Sequence, residues 1–142
     1  MKPKILLRIA SAVVIFHDMG HTLGAVTWRQ SPDPIKQMII NQMIEHKSPF
    51  MGAMRSMGEY YEGYGYAATI ALLLIGIILW LVSAVSLQNL DMVRKILITI
   101  GVSLLLWGAD ELIFFFPFAA AFSLVASLLT FLAVFNLKKV SQ

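Results

Sequence analysis

Four stretches of this chain, about residues 5–26, 67–87, 96–116 and 118–137, are each roughly twenty residues long and almost wholly apolar. A helix rises about 1.5 Å per residue, so roughly twenty residues cross the ~30 Å hydrocarbon core of a bilayer. A helix also satisfies its own backbone hydrogen bonds, which lipid demands. The 142 residues are 58% hydrophobic and only 13% charged, where a soluble domain carries about 25% charged residues. A single aqueous core of this size cannot hide so much apolar surface. These features predict an all-α membrane protein: a four-transmembrane-helix bundle forming one domain over residues 1–142.

The first stretch is the unusual one. It contains His17, Asp18 and His21 near its far end, and Arg8 near its start. Ionisable side chains are expensive within a span and default to a functional role. A cleavable leader is the competing reading of a basic start followed by an apolar run. Arg8 interrupts that run early, and the histidines sit where it should end cleanly, so a retained span is expected. Arg8 is expected to snorkel to the interface.

Residues 27–66 form the long polar connection. Asp33-Pro34 is a helix start, with an aspartate cap and proline at the first helical position. Ile35, Met38, Ile39, Met43 and His46 then share one face, predicting an amphipathic surface helix of about three turns between spans 1 and 2. Ser48-Pro49 ends it. Met51, Met54 and Met57 recur every three residues; soft thioethers suit Cu(I), although such stripes are more often apolar packing. Tyr60, Tyr61, Tyr64 and Tyr66 are the residues a membrane–water interface collects. Gln88 to Asp91 and Pro117 predict tight turns. Ala119, Ala120, Ala121, Ser123, Ala126 and Ser127 make the fourth span able to pack closely, and Gly20 and Gly24 do the same for the first.

Four spans put both termini on one side, with Lys2, Lys4, Arg8, Arg94, Lys95, Lys138 and Lys139. Arg29, Lys36, Lys47 and Arg55 lie on the other, in the longer connection. The basic excess in the short segments predicts cytoplasmic termini in a bacterial inner membrane. No basic patch is interleaved with aromatics, which argues against nucleic-acid binding. The chain has no cysteine, so disulfides, thiol catalysis and cysteine-ligated metals are excluded.

On that topology His17, Asp18 and His21 lie roughly 18–24 Å above Ile5. Trp107, Asp110 and Glu111 reach a comparable height, and Arg55, Glu59, Tyr61 and Glu62 precede the second span on the same side. The expectation is one outer-leaflet ligand pocket lined by these ten residues. His17 and His21 are one turn apart and suit a divalent metal held by two imidazoles, with Asp110 or Glu111 as a third ligand and Glu59 or Glu62 as a fourth. The alternative is that the histidines handle a proton or bond across helices, the commoner use of such groups in lipid. Asp110 and Glu111 point about 100° apart, so one faces the bundle while the other reaches the interface or pairs with Arg29 or Arg55.

Gly20-His21-Thr22-Leu23-Gly24-Ala25, then Arg55, then Tyr61-Glu62-Gly63-Tyr64-Gly65 resemble a family of small bacterial four-helix membrane proteins. The resemblance implies the four-span fold and points to His21, Arg55, Tyr61 and Gly63. It carries no activity, cofactor or substrate, and His17 and Asp18 lie outside its pattern.

Three functions are expected from these residues. The first is a small membrane protein binding a metal ion, proton or small lipophilic ligand. The second is a membrane-embedded acid–base enzyme of isomerase type on a lipid-like substrate, with His21, Asp110 and Glu111 as its candidate catalytic groups and Trp107 stacking on a cationic intermediate. The third is an accessory subunit of a membrane complex or homo-oligomer, docked through the surface helix.

Overall fold

A computed structural model describes residues 2–84 and 90–140, with the side chains of residues 138–140 left aside. Its elements are α1 (Pro3–Thr27), α2 (Pro34–Glu45), β1 (Lys47–Phe50), β2 (Ala53–Ser56), α3 (Met57–Ala84), α4 (Leu90–Phe114) and α5 (Pro117–Val140). Among the described residues, α1, α3, α4 and α5 are long and apolar enough to cross a membrane. The chain is an all-α membrane protein with one short surface helix after the first span. The end of the second span at Leu87 and the turn at Gln88-Asn89 lie outside the described residues.

The chain forms two compact units, residues 1–18 with 72–142, and residues 19–71. In the first, α4 and α5 run antiparallel along their length. Phe115 and Phe116 make the turn, and Pro117 opens α5 at the first helical position, where its missing N–H costs nothing. Small residues bring the helices together. A Cβ on Gly108 would come within 2.8 Å of the Leu124 side chain, and one on Gly101 within 3.0 Å of the Phe131 ring. Hydroxyls then bond across to backbone carbonyls, Ser127 Oγ to Gly101 O and Ser11 Oγ to Gly76 O, each at 2.7 Å. In lipid there is no hydrophobic drive between helices, so close packing and such hydrogen bonds supply the attraction. Leu6, Ala10, Val14, Leu72, Leu79, Leu97, Leu104 and Ala126 fill the interior. Leu106, Ile113, Phe114 and Phe135 point outward, while Ser11, His17, Asp18, Glu111, Ser123 and Thr130 are buried. Polar groups inside and large apolar ones outside is the arrangement a bilayer requires.

In the second unit Asp33 caps α2, accepting from the N–H of Ile35 at 2.9 Å and of Lys36 at 3.4 Å. The inward face of α2 differs from the one its periodicity suggests. Ile40 is buried while Ile35, Met38 and Ile39 are exposed. Gln37 is the reason: its amide donates to the Arg29 carbonyl and accepts from the Ser31 N–H, pinning that side of the helix to the preceding loop.

The methionine stripe is not helical. Lys47–Phe50 and Ala53–Ser56 pair as an antiparallel hairpin. Met51 and Gly52, with φ of 48° and 84°, form its turn. Two consecutive positive φ values match the right-handed twist of a two-residue hairpin, and glycine fills the second at no steric cost. Met51 therefore sits in a turn, Met54 in a strand and Met57 at a helix start, and the three do not share a face.

α3 begins at Met57 rather than near Ala67, so the tyrosine-rich segment is helical. A reciprocal cap starts it. Ser56 Oγ accepts from the Glu59 N–H at 3.1 Å, and the Glu59 carboxylate accepts from the Ser56 N–H at 2.8 Å. Gly58 then fits beneath Trp28 and the Met43 carbonyl.

Ser56→Ala is expected to lower thermal stability in detergent by about 1 kcal/mol, the usual cost of losing an N-cap. Far-ultraviolet circular dichroism during thermal unfolding measures it. Unchanged stability would mean the cap does not set the start of α3.

Candidate functional site

Three helices of the first unit converge on one buried cluster. α4 carries Trp107 and Glu111 four residues apart, hence on one face. Gly108, on the adjoining position, lets α5 approach: a Cβ there would lie 3.3 Å from Ser123 Cβ. α1 brings His17. The residues at the centre are almost wholly inaccessible, with exposures of 6% for His17, 3% for Glu111 and 1% for Ser123.

The contacts form a closed ring. His17 Nε2 lies 3.0 Å from Glu111 Oε1. Ser123 Oγ donates to Glu111 Oε2 at 2.7 Å, and the same oxygen lies 3.3 Å from His17 Nδ1. Trp107 Nε1 donates to Glu111 Oε1 at 3.2 Å. Phe122 stacks on the imidazole with centroids 5.7 Å apart, and Phe16 and Phe118 pack on Phe122. The polar ring is thus walled by aromatic carbon on one side.

Counting protons shows which states satisfy every polar atom of the ring. A serine hydroxyl has one proton to give, and Ser123 gives it to Glu111. The Ser123–His17 contact then requires Nδ1–H as donor. With Nδ1 protonated, the 3.0 Å contact between Nε2 and Oε1 needs one more proton on one of the two atoms. Either the imidazolium donates to the carboxylate, or the carboxylic acid donates to the neutral imidazole. Both forms satisfy every polar atom of the ring. Without that proton, two lone pairs face each other in a dry interior, where an unpaired polar group costs about 1–3 kcal/mol. The geometry thus accommodates one shared proton between His17 Nε2 and Glu111 Oε1. The ring is not arranged as a nucleophilic triad, in which the hydroxyl must donate to the histidine.

The remaining sequence candidates take other places. Trp107 uses its N–H on Glu111 rather than its ring face. Asp110 is exposed and Asp18 is buried. In the second unit His21 is half-buried. Arg55 and Lys47 each lie 3.5 Å from Glu59, which also serves as the α3 cap. Glu62 accepts from Arg29 and from the Tyr66 hydroxyl, the latter at 3.1 Å. That bond raises the Arg29 pKa above its already high ordinary value, so the guanidinium stays charged. Arg29 and Arg55 thus pair with Glu62 and Glu59 within the second unit. Tyr61 packs on Trp28 at 4.9 Å, and Thr22 and Thr69 hydroxyls meet at 3.2 Å. The ion pairs among these are solvent-accessible, so water and salt screen them.

Among the described residues no group of three or more His, Asp or Glu side chains is disposed to hold a metal ion. Both ring nitrogens of His17 are engaged, so it offers no free lone pair as a ligand.

Ser123 is the residue that sequence inspection passes over as merely small. A positional signal existed. Glu111 and Ser123 each lie six residues from Pro117, and a tight turn between antiparallel helices pairs positions equidistant from it. No protein-family model, curated protein or solved structure matches the chain.

Glu111→Gln should leave stability within about 1 kcal/mol of wild type. The amide accepts from Trp107 and His17 Nε2–H, donates to Ser123 Oγ, and lets the hydroxyl turn to Nδ1, satisfying the ring with one proton fewer. Glu111→Leu strands His17 and Ser123 and should cost about 3–5 kcal/mol. Unfolding in detergent compares the two; equal losses would contradict the ring.

Proposed function

We propose that this small integral membrane protein works as a proton-binding protein, with His17 and Glu111 holding one exchangeable proton inside the bilayer. The observation that carries this is the ring's proton count: two tautomers, each with zero net charge on the pair, satisfy every polar atom. Ser123 and Trp107 orient the carboxylate, and Phe122 keeps water from the imidazole.

The depth supports the reading. Glu111 lies three residues from the end of α4, about 5 Å along the helix, so a proton entering from the α4–α5 turn travels a short way through protein. The pattern of basic residues supports cytoplasmic termini in a bacterial inner membrane, and in that orientation the turn faces outward. The likeness to small four-helix bacterial membrane proteins is compatible with this and adds no substrate. Of the chemical roles expected from sequence, proton binding needs the fewest further groups. A metal requires ligands beyond those engaged here, and an acid–base enzyme requires a substrate to reach atoms that are now covered.

The test is infrared difference spectroscopy of the reconstituted protein during pH titration. Wild type should show one carboxyl band coupled to an imidazole band, both absent in Glu111→Gln and in His17→Gln. Identical difference spectra for wild type and Glu111→Gln would overturn the proposal.

A further inference from the structure

The first unit carries a second feature that the proton site does not use. An open groove of about 510 Å³ runs along the outer surface of α1, lined by Arg8, Ile9, Ala12, Phe16, Trp80 and Phe122. Its walls are apolar except at one end. There the Arg8 guanidinium lies 4.9 Å from the centroid of the Trp80 ring. Among the described residues no carboxylate lies within ion-pair distance of Arg8.

The dimensions and chemistry select an occupant. From Ile5, which also lines the groove, to Phe16 is eleven residues, about 16 Å of helix, against about 15 Å for half of the hydrocarbon core. Arg8 lies five residues from the start of α1 at Pro3, about 8 Å along the helix, and its long side chain reaches back toward the interface. The groove therefore has the length of one leaflet's acyl chain, with a permanent cation at headgroup level. Any lipid chain can fill an apolar groove, because lipid gains nothing by leaving lipid for a like surface. Selection must come from the charged end. Guanidinium presents a planar fork of donors matched to phosphate oxygens. A zwitterionic headgroup supplies its own ammonium and has less need of one.

We propose that this groove is a binding site for an anionic phospholipid, with one acyl chain along Ile9, Ala12, Phe16 and Phe122 and the headgroup phosphate on Arg8. Trp80 holds the guanidinium from its ring face and leaves its N–H donors free for the phosphate.

Trp80 is also the reporter. The full-length protein is reconstituted in phosphatidylcholine vesicles containing increasing fractions of bromine-labelled phosphatidylglycerol, or of bromine-labelled phosphatidylcholine. The quenching due to Trp80 is the difference between wild type and Trp80→Phe. The labelled anionic lipid should occupy the groove about fivefold more readily than the zwitterionic one, the preference expected from one basic residue near a membrane surface. Arg8→Gln should abolish the preference while leaving Lys2 and Lys4 in place. Ala12→Phe, which fills the groove with Arg8 intact, should reduce quenching by both lipids. Equal quenching by the two lipids in wild type, a preference that survives Arg8→Gln, or unchanged quenching in Ala12→Phe would each overturn the proposal. So would loss of the preference on adding inorganic phosphate at matched ionic strength, which would make the site one for free phosphate.

Discussion

The contact between His17 and Glu111 is the constraint on which the interior of the first unit depends. Lipid offers no hydrogen bonds, so a carboxylate carried into a span must find all its partners within the protein. Glu111 finds them on three helices. That requirement explains features that would otherwise be unrelated: a glycine at 108 where α5 must come close, a serine at 123, and a tryptophan whose N–H points inward. Each is a small or donor-bearing residue at a position where a larger apolar one would pack equally well against lipid.

The two units use their polar residues differently. In the first, His17, Glu111 and Ser123 are buried and satisfy one another. In the second, Glu59 and Glu62 are only partly covered and pair with Lys47, Arg55 and Arg29 at the surface. There they cap a helix start and join segments distant in sequence. The same residue types thus close a buried ring in one unit and cap or join surface segments in the other, and burial separates the two settings.

The four spans and the surface helix were legible because length and hydropathy survive without knowledge of partners. The Asp33-Pro34 start of α2 was legible for the same local reason. The start of α3 was equally local and still easily missed. Ser56-Met57-Gly58-Glu59 carries the serine and glutamate of a reciprocal cap, but the tyrosines and glutamates after it resemble an interface loop. Hydropathy locates the membrane-embedded part of a helix, and its polar extension has to be read from capping chemistry. The site was half legible. His17 and Glu111 stood out as ionisable groups in lipid, whereas the partners of Arg29 and Arg55 depended on which carboxylates the fold brought near. Ser123 required the helix register. The hairpin at 47–56 was hidden because three methionines spaced by three imitate a helical stripe.

One property of the ring bears on how a membrane would act on it. Its two proton isomers differ only in dipole, since the proton crosses a gap of 3.0 Å between Nε2 and Oε1. That gap is at most about one-tenth of a ~30 Å core. A full elementary charge crossing the whole membrane at 100 mV is worth about 2.3 kcal/mol, so the transfer couples to that voltage by at most about 0.2 kcal/mol. This is below thermal energy. The resting potential cannot throw such a transfer, and the balance between the two isomers is left to the groups that already surround the pair, Ser123 and Trp107.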